Sequence, residues 1–144
     1  MLLFIGDGPV REEVLDAARA AGVLEHVIFT GMMPHALVPE HLALLDIAVI
    51  PFSNAHGSPM KLMEFMVMGL PVIAPDLAPI REVVEDHRTG RIFRRDDMDD
   101  MRRVLTEMLA EPEDMQRIGR NAKDYVLANL TWRAHAQKCI HALG

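Results

Sequence analysis

The feature that most limits the fold of this chain is a repeated alternation of short apolar blocks with segments of helical periodicity. The apolar blocks are continuous, as expected of parallel strands that are buried on both faces. This succession predicts the α/β class, with a Rossmann-like parallel sheet flanked by helices. The predicted strands span residues 2–5, 27–29, 47–50, 71–74 and 91–93.

The helices are predicted from apolar spacing and from residues that begin or end helices. A helix at 59–68 begins with Pro59 after the N-cap residue Ser58 and ends at Gly69. Thr131 is predicted to cap the last helix of the chain. The other predicted helices span 10–21, 39–45, 78–84, 98–110, 112–129 and 132–143.

Composition limits the class of protein and its partners. The 144 residues suffice for one domain over 1–144, and 50% hydrophobic with 25% charged residues is ordinary globular composition. A net charge of −6 argues against a nucleic-acid partner. The single cysteine, Cys139, excludes a disulfide framework and favours the cytoplasm. The apolar opening is too short for a signal peptide or a membrane span.

In parallel sheets ligands bind where strands lead into helices, here at 6–9, 30–34, 51–59 and 75–79. Backbone N–H groups and the positive end of a helix dipole meet at Ser58 and Pro59, which favours an anion. Gly57 allows a ligand to approach the backbone closely. Lys61 opposes the helix dipole, which makes sense if a phosphate lies between them. The alternative is a lysine that only points into solvent.

Glu64 is the sharpest single candidate for ligand binding. It is the only acidic residue between Met60 and Met68, and six of the seven residues at 62–68 are apolar. Such a helix is predicted to be buried, and a buried carboxylate needs hydrogen-bond donors. The donors are either Lys61 or a neighbouring backbone amide, or the hydroxyls of a ligand diol such as a ribose. The pattern favours the ligand.

Other motifs give only weak support for a different function. Gly6-x-Gly8 lacks the third glycine of a dinucleotide fingerprint, and no acidic residue closes the next strand. The seven histidines include no pair at zinc-ligand spacing, so no metal is expected. The 11 methionines are typical of adaptable core filling.

Several motifs occur along the chain in a definite order and spacing. They are Gly6-Asp7-Gly8-Pro9, the segments at 27–31 and 46–51, Glu64 with the segment at 69–74, Glu82-Val83-Val84, Thr89-Gly90 and Thr131-Trp132. In this order and spacing they resemble the family 4 retaining glycosyltransferases (glycosyl transferases group 1), and the resemblance covers nearly the whole chain. It implies the GT-B architecture, in which two Rossmann-like domains face a cleft and the C-terminal one binds the sugar nucleotide.

The resemblance assigns roles to individual residues. Glu64 falls on the second motif glutamate, which binds the donor ribose. Gly57 and Ser58 fall on the glycine-rich loop, whose backbone contacts the donor sugar and diphosphate. The helix start that follows completes the donor-binding candidates of this region with Pro59, Met60 and Lys61.

Three further donor-binding candidates lie nearer the N-terminus. Met32 and Met33 fall on the segment that borders the nucleobase, and Gly6 closes the first strand. Residues 51–53 line the same cleft in the family. All of these roles are implied by the resemblance.

One departure concerns the first motif glutamate, whose position is occupied by His56. An imidazole can form a hydrogen bond with a sugar hydroxyl, but it carries no fixed negative charge near neutrality. His56 is therefore the catalytic candidate, and an exposed loop histidine is the alternative. The Ser58-Pro59-Met60-Lys61 variant resembles a subgroup in which this glutamate is often absent.

A second departure is that the chain begins at a strand that the family precedes with another strand and helix, which carry an arginine and a lysine. The resemblance therefore implies the C-terminal half of a GT-B fold without its first strand and helix. The N-terminal acceptor domain is then a missing partner. We expect either a closed-up sheet or weak stability, and little or no sugar transfer by this chain alone.

The predicted function is the donor-binding part of a retaining glycosyltransferase that uses a UDP-, GDP- or ADP-linked sugar without a metal or other cofactor. One alternative is half of a GT-B sugar-nucleotide epimerase, and another is a non-catalytic nucleotide-binding α/β module. The expected location is cytoplasmic. The charged run at 82–103 is predicted to be a solvated surface. Its basic residues would contact lipid headgroups at the inner membrane face if the acceptor is membrane-bound.

Overall fold

The computed structural model describes residues 1–53 and 60–143, the side chains at 135, 138, 142 and 143 excepted. The chain divides into two compact units, Met1–Leu45 and Asp46–Gly144. In the described part of the chain, no helix is long and apolar enough to cross a lipid bilayer.

The N-terminal unit contains two parallel strands. Strands β1 (Leu2–Phe4) and β2 (Val27–Phe29) pair with Phe4 opposite Phe29. The rings of these two phenylalanines are stacked, with centroids 4.4 Å apart. The helices of this unit are α1 (Arg11–Ala20), a 3-10 turn (Leu24–His26), a second 3-10 turn (His35–Leu37) and α2 (Val38–Leu42).

The C-terminal unit contains three parallel strands in the order β3 (Ala48–Val49), β4 (Val72–Pro75) and β5 (Arg91–Phe93). Every residue of β4 and β5 is buried. Because successive side chains of a strand point to opposite faces, both faces of these strands are covered. The helices are α3 (Met60–Val67), α4 (Ala78–Arg81), α5 (Met98–Ala110), α6 (Pro112–Asn129) and α7 (Trp132–Leu143).

The main apolar cluster of the C-terminal unit joins the sheet to α5 and α6. Helix α5 packs against both β4 and β5. The cluster contains five buried side chains, which are Ile73, Phe93, Val104, Met108 and Ile118.

Most predicted elements are confirmed, and the differences lie at their ends. The helix predicted at 39–45 begins at Val38 and ends at Leu42. Beyond it, the amides of Leu44 and Leu45 donate to carbonyls three residues back, so the chain tightens into turns. The helix predicted at 78–84 ends at Arg81 for the same reason, because the Val83 amide donates to the carbonyl of Ile80.

The sheet differs from the prediction. The described strands pair in two separate parallel sheets, β1–β2 and β3–β4–β5, so the closed-up single sheet was wrong. Leu2 and Ile28 are 50% and 42% exposed, so β1 and β2 are not covered on both faces. A short apolar run does not by itself ensure two buried faces. Weak stability stays a prediction.

The charged run at 82–103 is not simply a solvated surface, which corrects that prediction. Asp100, in the first turn of α5, is 6% exposed. Its carboxylate accepts hydrogen bonds from the Arg94 amide at 2.7 Å and from Nε of Arg103 at 2.9 Å. These bonds, the amide first, hold the pKa of Asp100 below its ordinary value. Asp97 caps α5 by accepting a bond from the Asp100 amide at 2.8 Å.

Arg91 links β5 to α5. Its side chain is 9% exposed and donates from Nη2 to Glu107 at 2.9 Å. Glu107 also accepts a bond from Nη1 of Arg103 at 2.7 Å. The Arg91 bond and then the Arg103 bond lower the pKa of Glu107. A chain of alternating charges therefore runs from the strand along the helix.

The first prediction concerns Gly90, which precedes β5. A Cβ atom there would lie 2.7 Å from Cγ1 of Val84 and 2.9 Å from Cγ2 of Val72. Because both neighbours are buried, Gly90→Ala is expected to reduce the free energy of unfolding by about 1–3 kcal/mol, measured by urea denaturation. Gly8→Ala is the matched control, since nothing lies within 4 Å of its Cβ position. Equal loss in both variants would contradict the packing argument.

The second prediction concerns acid unfolding. Because the folded-state pKa of Asp100 lies below the ordinary value of 3.8, its contribution to stability is present above that pH and is lost as the pH falls through the lower, folded-state pKa. Asp100→Asn is therefore expected to be less stable at neutral pH and to lose less stability below pH 3.8, measured by urea unfolding across pH. Asp99→Asn in the same turn, with an 88% exposed side chain, should follow the unsubstituted chain. Identical pH profiles for all three proteins would refute the role of Asp100.

Candidate functional site

Helix α3 carries the described part of the predicted ligand site. Leu62 and Met66, four residues apart on one face, have no exposed surface. Helix α6 packs against α3. The helix is followed by Gly69 at φ 80°, where the Leu70 amide donates to the Phe65 carbonyl at 3.1 Å. This glycine termination was predicted and is confirmed.

The other side of α3 is exposed, which corrects the expectation of a helix buried all round. Met60 is 57% exposed, and Val67 and Met68 are each 37% exposed. An apolar composition alone does not decide burial, because much of a folded protein's surface consists of apolar atoms. The pattern therefore overstated how deeply this helix lies in the core.

Glu64 is half-buried rather than buried. Within the described residues, its carboxylate takes part in no hydrogen bond or ion pair, so the predicted pairing with Lys61 or a neighbouring amide is not formed there. A carboxylate in this position has acceptor capacity for hydroxyl groups. Its assignment to a ribose stays a prediction.

Lys61 is exposed and, within the described ranges, forms no ion pair. An exposed lysine in the first turn of α3 is compatible with both alternatives from the sequence, a bound phosphate or solvent. Met60 lies beside it at the start of the helix. The structure thus places Met60, Lys61 and Glu64 within two turns of one helix.

Four predicted site residues lie outside the described residues, namely His56, Gly57, Ser58 and Pro59. Of the neighbouring segment, Phe52 is 73% exposed and Ser53 is half-buried.

Gly6 lies in the N-terminal unit, where the chain leaves β1. Its amide donates to the Thr30 hydroxyl at 3.0 Å, and it forms an antiparallel bridge with Gly31. Both glycines have positive φ angles, 116° and 70°, which explains why residues without a Cβ occur there. The loops after β1 and β2 are therefore joined at the carboxyl edge of their sheet, as the parallel topology predicts.

Met32 and Met33 follow directly from this bridge. Met32 is 83% exposed and Met33 is half-buried, so one thioether side chain is available to a ligand. On the same edge, Asp7 accepts a bond from the Gly8 amide at 2.8 Å, and the guanidinium of Arg11 lies 5.6 Å from the Phe29 ring centroid. Arg11 was not among the predicted site residues. Its position at the start of α1, three residues after Gly8, was the available signal.

A concave surface of about 440 Å³ lies where β4 and β5 end. The Asp76 carboxylate accepts a bond from Nη2 of Arg81 at 2.7 Å, and this pairing lowers the pKa of Asp76. The sequence selected the loop at 75–79 but missed the pairing with Arg81, because α4 had to be placed first. The charged residues that line the surface are Asp76, Arg81, Asp86, Arg94, Asp100 and Arg103.

No group of three His, Cys, Asp or Glu side chains among the described residues could hold a metal ion. Independence from metals stays a prediction.

Comparison with known proteins identifies the family. A family model described as "Glycosyl transferases group 1" matches residues 1–125. A GDP-mannose-dependent alpha-(1-6)-phosphatidylinositol monomannoside mannosyltransferase of Mycolicibacterium smegmatis is 28% identical over 99% of this chain and 39% of its own length. The alpha-D-kanosaminyltransferase of Streptomyces kanamyceticus is 31% identical over 81% of this chain and 30% of its own length. The chain thus spans well under half the length of these relatives.

Solved structures show the same fold. Anabaena HepE in complex with UDP superposes with a TM-score of 0.85 at 18% identity, over 98% of this chain and 40% of that one. Sucrose-phosphate synthase from Thermosynechococcus elongatus superposes with a TM-score of 0.82 at 22% identity, over 99% of this chain and 37% of that one. The predicted GT-B type of α/β fold is confirmed. The chain belongs to the group 1 family of glycosyl transferases.

Proposed function

We propose that this chain is the nucleotide-sugar-binding part of a retaining glycosyltransferase. The observation that carries the proposal is the family match over residues 1–125. The mycolicibacterial relative is named as GDP-mannose-dependent, and HepE has been solved with UDP and with UDP-glucose. These names support a nucleoside diphosphate sugar as the ligand class.

The diphosphate is proposed to bind at the amino end of α3. Free backbone N–H groups and the positive end of the helix dipole favour an anion at such an end. Lys61 is exposed there without an ion-pair partner among the described residues, so its ammonium group is available to a phosphate oxygen. Gly57 and Ser58, just before the described start of α3, are proposed to contact the diphosphate and the sugar through their backbone.

The ribose is proposed to bind Glu64. This side chain lies one turn beyond Lys61, is half-buried and has no partner among the described residues. One carboxylate can accept bonds from both hydroxyls of a ribose. Partial burial strengthens such bonds, because less water competes for the same acceptor.

The remaining assignments complete the proposal. Met32 and Met33 are proposed to border the base, Gly6 is a further donor-binding candidate, and His56 is proposed to contact the sugar. Stabilisation of the departing diphosphate is proposed to be electrostatic rather than metal-based, with retention at the anomeric carbon. Since the chain spans 39% of the length of its mycolicibacterial relative, sugar transfer is proposed only for a protein that also has an acceptor domain.

The third prediction tests the donor site by calorimetric titration of UDP, GDP and ADP into the 144-residue chain. We expect saturable binding of one nucleotide. Glu64→Gln keeps the size of the side chain but removes its charge. Hydrogen bonds to charged groups contribute about 1.5–3 kcal/mol, so the Kd should rise about tenfold to hundredfold.

Glu82→Gln is the matched control, because Glu82 is exposed just after α4 and its carboxylate makes no hydrogen bond or ion pair with a described residue. It should bind like the unsubstituted chain. Equal weakening in both variants would remove Glu64 from the site. Absence of binding by a folded, monodisperse sample would instead refute the proposed function and favour a non-catalytic module.

The fourth prediction concerns metals. If charge on the diphosphate is neutralised by α3 and Lys61 alone, titration in excess EDTA should give the same Kd to within about twofold. The parallel titration with added Mg²⁺ is the control. A large gain in affinity with Mg²⁺ would overturn the metal-free part of the proposal.

A further inference from the structure

Helix α6 approaches the end of α3 at a point where each of the two segments has a glycine. A Cβ atom built on Gly119 of α6 would lie 2.2 Å from the carbonyl oxygen of Gly69 and 3.2 Å from Cδ of Pro71. Ordinary contact begins at 3.4 Å. The two backbones are therefore too close to accommodate even a methyl group.

Backbone hydrogen bonds on either side of the Gly69 carbonyl connect this residue to α3. The Gly69 amide donates to the Met66 carbonyl at 2.9 Å, and the next amide, of Leu70, donates to Phe65 at 3.1 Å. One residue earlier, the Met68 amide donates to the carbonyl of Glu64 at 3.3 Å. A displacement of Gly69 is thus transmitted to the backbone that carries Glu64.

The buried face of α3 leaves little room to absorb such a displacement. Leu62 and Met66 have no exposed surface, and Ile118 and Ala122 of α6 are 1% and 0% exposed. Interiors packed this closely transmit strain instead of deforming locally. Movement at one end of α3 therefore changes the position of the whole helix.

We infer that Gly119 is a positioning residue for nucleotide binding: its missing side chain sets how closely α6 approaches Gly69, and thereby sets the position of Lys61 and Glu64. The inference rests on the proposed function, because it assigns the nucleotide site to α3. Gly119 itself touches no ligand in this arrangement.

Gly90 provides a matched control. It is also buried in the C-terminal unit, and a Cβ there would meet Val84 and Val72 at 2.7 and 2.9 Å. Its neighbours lie on β4 and after α4 rather than at the end of α3. Gly90→Ala and Gly119→Ala therefore both overpack the same unit, but only the second displaces the Gly69 carbonyl.

The fifth prediction compares the two variants in the full 144-residue chain. Both should unfold at lower urea concentration. Gly119→Ala has to open its contact by about 1 Å, so the Kd for the nucleotide bound by the unsubstituted chain should rise about tenfold, while Gly90→Ala should change it less than about twofold. The titrations are made below the unfolding transition of both variants.

The outcomes separate the two proposals. If the unsubstituted chain binds UDP, GDP or ADP and Gly119→Ala binds it equally well, the positioning role is refuted and the donor site stands. Equal weakening by both glycine variants would also refute it, since general destabilisation would then suffice. If the unsubstituted, folded chain binds none of the three nucleotides, the proposed function itself fails.

A second measurement avoids the risk that Gly119→Ala does not fold. Amide hydrogen exchange of the unsubstituted chain is followed with and without the nucleotide. Coupling of the site to the α3–α6 contact predicts slower exchange at the amides of Met68, Gly69 and Leu70 when nucleotide is bound. Slower exchange confined to the first turn of α3 would overturn the inference.

Discussion

The C-terminal unit depends on a contact in which neither partner has a side chain, that between Gly119 of α6 and the carbonyl of Gly69. It lets α6 pack closely against α3, and Ile118, Ala122 and Val126 of α6 are buried. The same helix belongs to the cluster that joins β4, β5 and α5. A slip of α6 by one residue would place a bulky side chain at the Gly69 carbonyl, so the contact also fixes the register of the helix. Sheet, core and candidate site therefore share one geometric constraint.

Much of the fold could be predicted because the local signals agree. Prolines and capping residues mark where α5, α6 and α7 begin. The Thr131 hydroxyl accepts a bond from the Ala134 amide at 3.2 Å, as expected of an N-cap. Strand pairing could not be predicted in the same way, because it depends on contacts between distant segments. The burial of Asp100 was missed because charge alone predicts exposure. Arg103 lies three residues further along the same helix, but the Arg94 amide, just after β5, reaches the Asp100 carboxylate only when β5 packs against α5.

The candidate site could be predicted only partly from residue patterns. Helix boundaries and the isolated acid at Glu64 follow from residue patterns, but the roles of ribose, diphosphate and base come from the family resemblance. The burial of Glu64 was overestimated, because the apolar residues of α3 do not by themselves cover the helix on every side. The Gly119 contact could not be found from sequence at all. A glycine within a helix has many causes, and only the position of the opposing carbonyl distinguishes them.

The arginines of the charged run at 82–103 affect how this surface interacts with an anionic bilayer. Each arginine from Glu82 to Arg103 has a carboxylate oxygen within 3.3 Å. These carboxylates act as built-in counterions, so the surface carries little excess positive potential at short range. An anionic bilayer would have to displace them, and it would gain little counterion release in doing so. Contact between this surface and an anionic bilayer would therefore require these ion pairs to open.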